Sequence, residues 1–183
     1  MIRPATPDDA SEVSPLFILA MGHIAGILAN SERNEDAIPL LEMFFTRDYN
    51  QYSYINTLVF EIDKKIIGFV TGYDGALLDK LRQPIIEQVR KSQPDFAPGD
   101  ETEAGEYYLD CIAISTAYHG KGIGKKLISA FCEKADSLGF RRVGLIVDFE
   151  NSETKIIYEK LGFQTVGERD FLGHKYFHML KAN

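Results

Sequence analysis

The sequence predicts a mixed α/β domain organised around one glycine-bearing crossover, and three observations predict it. An apolar run, YYLDCIAIS (107–115), leads into YHGKGIGKKL (118–127), which carries glycines at 120, 122 and 124 and is followed by helical periodicity. Strand-period and helix-period segments then alternate, the pattern of a parallel strand–helix–strand unit. Two strand-period runs precede this unit and two close the chain, each pair joined by a short turn, so antiparallel hairpins flank the crossover. At 183 residues the chain fits one domain, 1–183, with room for one insertion.

In chain order, ATPDDASEVSPLFILAM opens with Thr6 as an N-cap, Pro7 at the first helical position and acids in the first turn. Ala10, Val13, Phe17 and Ala20 then repeat at helical spacing, and Pro15 predicts an interruption. A second helix is expected over about 34–45, from Ile38, Leu41 and Phe45. TLVFEI and IIGFVTGY, separated by Asp63, Lys64 and Lys65, read as a hairpin. Residues 74–106 form an insert. Its first part, ALLDKLRQPIIEQVRKS, is helical in pattern with a break expected near Pro84, and QPDFAPGDETEAGE reads as a loop or mobile flap. A strand over about 107–114 follows. The helix of about 122–138 carries Leu127, Ile128, Phe131, Ala135 and Leu138 on one face and stops at Gly139. RVGLIVD is the next strand and SETKIIYEKL a short helix closed by Gly162. FQTVGER and KYFHML form a terminal hairpin turning at DFLG.

Composition removes several function classes. The longest apolar runs fall far short of the ~18 residues of a membrane span, and MIRPATPDDASEV has no signal-peptide core, so no membrane partner and a cytoplasmic location are expected. Cys111 and Cys132 have no CxxC spacing and lie in apolar surroundings, which reads as buried, reduced thiols. The net charge of −7 argues against nucleic acid as a partner. That charge is uneven: residues 1–106 carry 9 Lys/Arg against 18 Asp/Glu, whereas 107–183 carry 11 against 9. The halves can therefore face ligands of opposite charge, although solvated surface acids give the same balance. No histidine pair has convincing metal-ligand spacing, His174 with His178 included, so no metal is expected.

Glycines at a strand-to-helix turn allow positive φ and close approach of a ligand to the backbone. The helix start adds unpaired N–H groups and partial positive charge, a combination suited to phosphate or pyrophosphate. Lys121, Lys125 and Lys126 reinforce it. The nucleotide template GxxxxGK[ST] fails at His119 and at Lys126, and GxGxxG fails at Lys125 or at Leu127, depending on the starting glycine. The spacing that fits is [Q/R]-x-x-G-x-[G/A], with Gly122 and Gly124 as the required small residues.

In this loop the chain resembles the GNAT family of acetyl-CoA-dependent N-acetyltransferases. YLDCIAIS is similar to the family's central strand, HGKGIGKKL to its pyrophosphate loop, and NSETKIIYEKLGF (151–163) to its later motif N-x-x-A-x-x-x-Y-x-x-x-GF. The chain departs from the pattern at His119, where the family has Gln or Arg, at Thr154, where Ala is usual, and in the long insert. The resemblance implies a central twisted mixed sheet of six to seven strands flanked by about four helices, with the insert between the third and fourth strands. It further implies acetyl-CoA as co-substrate and direct transfer of its acetyl group to a primary amine of a small molecule or peptide. The acidic half weakly favours a cationic acceptor. Family members often form homodimers, but no residue in this sequence marks an interface. Contacts to the coenzyme are expected from Ile112, Ala113 and Ile114 on the strand and from His119, Gly120, Lys121, Gly122, Ile123, Gly124 and Lys125 in the loop. Asn151 and Tyr158 complete the set.

Such a transfer sets three chemical demands. An alkylammonium, with a pKa of about 10, must lose a proton before attack; the carbonyl oxyanion needs a donor; and the thiolate leaving group gains from an acid. Tyr158 is the acid that the resemblance selects, whereas the pattern alone reads as a tyrosine packed on a helix's inner face. Asp110 is the preferred base, with a structural hydrogen bond as its alternative and Glu106, Asp148 and Glu150 as rivals. On a regular strand Asp110 shares a face with Tyr108, Ile112 and Ile114, while Cys111 faces away into the core, which disfavours a route through acetyl-cysteine. The backbone N–H of Ile112 is a candidate oxyanion donor, and Asn151 either contacts the pantetheine arm or caps the helix at Ser152. The competing reading is a non-catalytic acyl-CoA-binding sensor on the same fold; retention of Tyr158 and Asp110 weighs against it.

Overall fold

The computed structural model describes residues 1–182. One sheet of seven strands runs in the order β1-β2-β3-β4-β5-β7-β6. The strands are β1 (Ile2–Pro4), β2 (Thr57–Ile62), β3 (Lys65–Asp74), β4 (Tyr107–Ile114), β5 (Arg142–Asp148), β6 (Gln164–Phe171) and β7 (His174–Ala182). The helices are α1 (Ala10–Met21), α2 (His23–Ala29), α3 (Ile38–Phe45), α4 (Leu78–Val89), α5 (Ile123–Ser137) and α6 (Ser152–Lys160). Every neighbouring pair of strands is antiparallel except β4 with β5. No single helix among the described residues is long and apolar enough to cross a membrane.

Two apolar layers sandwich the sheet. On one face Val13, Phe17, Leu41 and Phe45 pack against Val59 and Phe69; on the other Leu127, Phe131 and Ala135 pack against Val70, Leu109 and Leu145. Such burial of large side chains, each contributing about 1.5–3 kcal/mol, is what holds helices this short.

Several sequence expectations are corrected. Neither Pro15 nor Pro84 breaks its helix. Pro15 lies on the exposed face of α1, and Lys80, whose carbonyl Pro84 leaves without its usual partner, is exposed too, so water can serve both freed carbonyls. Leu138, expected on the buried face, lies past the end of α5 and is exposed. Strand β1 and helix α2 were not anticipated. The first has only three residues, and the second starts at a 114° bend after Gly22, whose φ of 55° permits the turn. The segment read as a loop or mobile flap is a loop, and it is tied down. Leu172 N–H donates to the Pro98 carbonyl at 2.8 Å, Arg82 donates to the Gly99 carbonyl at 2.7 Å, and Glu101 and Thr102 are buried.

The largest correction concerns β4. Thr71 of β3 pairs with Cys111 but Gly72 pairs with Leu109, so Asp110 is one residue in excess, a β-bulge. The alternation shifts there. Tyr107 and Leu109 pack on the α5 face together with Ile112 and Ile114, whereas Cys111 and Ala113 pack on the α1 face. Asp110 therefore does not share a simple face with Tyr108, Ile112 and Ile114, and Cys111 does not point away from it: their side chains approach to 3.7 Å. Opposite the bulge, a Cβ on Gly72 would fall 2.1 Å from the Tyr108 carbonyl oxygen and 2.4 Å from Phe131 Cζ. Gly72→Ala is expected to lower stability by about 1–3 kcal/mol or more through overpacking, measurable as a lower urea midpoint at unchanged slope.

Candidate active site

The site originates where the sheet opens. The parallel strands β4 and β5 pair only at Tyr107 with Val143 and Tyr108 with Gly144. Beyond that point β5 stays in full register with β7 through Asp148, while β4 takes the bulge at Asp110 and keeps its register with β3. The strands part, and Leu109–Ile112 on one side and Leu145–Asp148 on the other line a cavity of about 720 Å³. The β4 edge facing β5 is left with main-chain groups able to pair with an inserted extended ligand.

The glycine loop follows β4 directly. Gly120 and Gly122 both have φ of 74°, the left-handed region, and Gly122 is the N-cap of α5. The first bond of α5 runs from Lys126 N–H to the Gly122 carbonyl at 3.2 Å. Among the described residues, the six consecutive amides from Gly120 to Lys125 have no protein acceptor. Those N–H groups, with the helix dipole behind them, make an anion cradle. The side chains contribute less. Ile123 is buried in the core, Lys121 sits over the Tyr118 ring at 4.6 Å, and Lys125 is exposed. His119 Nε2 donates to the Ile114 carbonyl at 2.9 Å, which pins the loop to the end of β4.

Tyr158 reaches the cavity from α6. It is 8% exposed, and its ring packs edge-on against Phe163 at 5.5 Å. Burial, with a smaller contribution from Cys111, holds its phenol well above the usual range, so it stays protonated and is fit to donate. Asn151 caps α6, its Oδ1 accepting from Thr154 N–H at 3.2 Å. That is the N-cap role foreseen for it, and the residue also lines the cavity.

Asp110 keeps partial exposure at the cavity, but its Oδ2 is buried without a donor among the described residues. Burial and then the charge of Glu101 push its carboxyl well above the normal range. Burial, with Asp110 next, does the same to the Cys111 thiol, which leaves little thiolate for a nucleophilic role. Among the rival bases, Glu106 accepts from Thr102 Oγ1 at 2.5 Å and pairs with His178 Nε2 at 2.8 Å, so it is committed to structure. Asp148 accepts from Glu150 N–H and lies 3.3 Å from His174 Nδ1; all three residues line the cavity.

Sequence reasoning missed Glu101. It sits in the insert, 3% exposed, and its Oε1 accepts from Gln51 Nε2 at 2.6 Å and from the Tyr73 hydroxyl at 3.2 Å. Its Oε2 has no donor among the described residues, and burial raises its pKa. Gln51 and Tyr52 share this end of the cavity with it. The only sequence signal was an acid in a proline- and glycine-rich run, which ordinarily marks a solvated loop.

The sequence profile of the Acetyltransferase (GNAT) family matches residues 27–163. A solved structure described as an acetyltransferase superposes with a TM-score of 0.79 at 31% identity, covering 100% of this chain and 98% of that one. An N-acetyltransferase from Staphylococcus aureus Mu50 superposes at 0.80 with 23% identity, covering 98% and 99% of the two chains, a likeness of fold alone. The spermine/spermidine N(1)-acetyltransferase of Bacillus subtilis strain 168 is 37% identical over 78 residues, which is 42% of this chain and 51% of that protein. The match thus spans about half the length of that curated relative.

The raised carboxyl of Asp110 has a consequence for stability. Its unfolded pKa is about 3.9, so between there and the higher folded value the native state holds more protons, and stability falls as pH rises. Asp110→Asn removes the buried charge. The variant is expected to melt at least about 3 °C above the wild type at pH 8, with the gap closing near pH 4, as thermal unfolding at the two pH values would show.

Proposed function

The chain belongs to the GNAT acetyltransferase family, and we propose that it transfers the acetyl group of acetyl-CoA directly to a primary amine. The observation that carries this reading is the succession of features along one strand. The open edge of β4 at Leu109–Ile112 lines the cavity that also holds Tyr158 and Asp110, and the chain runs on from β4 into the unpaired amide cradle at the α5 start, outside that lining.

In this reading the diphosphate of the coenzyme rests on the amides of residues 120–125, and its pantetheine arm runs along Ile112–Ile114 as an added strand. Asp110, directly or through a water, takes a proton from the acceptor ammonium. The freed amine attacks the thioester carbonyl, and the oxyanion is met by a β4 backbone N–H such as that of Ile112. When the C–S bond breaks, the thiolate takes the Tyr158 proton. The raised pKa of Tyr158 suits a donor, and that of Asp110 suits a base poised nearer neutrality than an ordinary carboxylate. The protonated state of Cys111 favours direct transfer over an acetyl-cysteine. The acceptor is a small or peptide amine, and the acids in the cavity wall favour a cationic one. The reading places this chemistry in the cytoplasm.

Thiol release from acetyl-CoA in the presence of a panel of primary amines tests the proposal. Tyr158→Phe is expected to lower kcat about 10²-fold or more while coenzyme A affinity by calorimetry stays within about threefold. Unchanged turnover would remove Tyr158 from the chemistry, and the absence of heat with coenzyme A in the folded protein would overturn the whole assignment. In wild type kcat/KM rises with pH as Asp110 ionises. Asp110→Asn is expected to lose that limb, and a variant that kept it would transfer the base role elsewhere.

A further inference from the structure

Two buried carboxylates in one cavity wall outnumber the charge that a single reacting amine can supply. Glu101 and Asp110 each present an oxygen with no donor among the described residues, and both line the same cavity. They are close enough that the charge of Glu101 bears on Asp110, and that both bear on the phenols of Tyr52, Tyr73 and Tyr108. Arg82 is the one Lys or Arg among the lining residues described, and its bonds go to Asp79 at 2.5 Å, Asp100 at 2.7 Å and the Gly99 carbonyl. Asp148 and Glu150 add two more acids to the lining.

An ionised carboxylate buried without a partner costs several kcal/mol, a cost relieved by taking up a proton or by a ligand that supplies the missing charge. A monoamine compensates one carboxylate, and only until its proton leaves for Asp110. Glu101 is then left, throughout the chemical step, with the charge of Arg82, a guanidinium already shared with Asp79 and Asp100. A second ammonium that takes no part in the reaction would satisfy Glu101 from binding to release.

We propose that Glu101, carried into the cavity by the insert, is the seat of a second, non-reacting ammonium, so that the preferred acceptor is a di- or oligoamine. This rests on the transferase reading above. Gln51 and Tyr73 hold Oε1 of Glu101 and leave Oε2 for the ligand. The seat is a specificity device: an acceptor with one amine leaves it unmatched, and sites that hold a polar group of the right ligand discriminate strongly against analogues that lack it.

The test compares α,ω-diaminoalkanes with n-alkylamines of equal chain length, by thiol release and by calorimetric binding to the protein–coenzyme A complex. Wild type is expected to favour the diamine at least tenfold in kcat/KM at the best chain length. Glu101→Gln, which keeps the Oε1 contacts, should bring that ratio close to one, and Glu101→Asp should restore part of it. Equal use of both amine classes by wild type would overturn the seat while leaving the transferase reading intact, and that result needs no variant to fold. An undiminished diamine preference in Glu101→Gln would also overturn it. Diamine binding that Glu101→Gln abolishes, without turnover of any amine, would uphold the seat and sink the transferase reading. Neither binding nor turnover would sink both.

Discussion

The parting of β4 from β5 after two paired positions is the constraint on which everything else depends. A parallel pair continued along its length would close the cavity and satisfy its own backbone. Here each strand is held instead by its outer neighbour, β4 by β3 and β5 by β7, and both outer ladders are nearly complete. The sheet therefore stays rigid on either side of a gap that its own hydrogen bonding does not fill. The glycine loop follows β4 in the chain, and Tyr158 reaches the cavity from α6. In the proposed reading, donor binding then rests on backbone geometry before any side chain is considered.

The bulge at Asp110 is the second device. The extra residue brings Asp110 and Cys111 side by side, within 3.7 Å, at the point where the strands diverge. A regular strand would have sent one of them into the opposite layer. Gly72 makes the bulge feasible, because its missing side chain admits both the Tyr108 carbonyl and the Phe131 ring. The cost is a carboxyl held against its preference for ionisation, the kind of local instability found at sites that must bind or react.

The sequence carried most of the fold because the strands β2 to β7 and the helices α1, α3, α4, α5 and α6 each have a period or a stop signal of their own. It missed β1, too short for periodicity, and α2, whose start depends on one backbone angle at Gly22. The glycine loop was legible because positive φ demands a specific residue type. The face of Asp110 was not, because a bulge is a property of two strands together and Gly72 alone does not announce it. Glu101 was invisible for a similar reason. Its burial comes from contacts with Gln51 and Tyr73, 50 and 28 residues away, and no local pattern encodes them.

The insert is riveted at its far end to the terminal hairpin. Glu103 bonds to Arg169, Glu106 to His178, and the Pro98 carbonyl receives Leu172 N–H. In the proposed reading the coenzyme end of the molecule is written in main chain and glycine, and part of the acceptor end in side chains borne on this clamped excursion. The two ends can therefore evolve on separate schedules. On that reading, exchanging residues 90–106 between relatives would re-tailor the acceptor pocket while the donor grip is inherited unchanged, provided Arg169 and His178 travel with the graft.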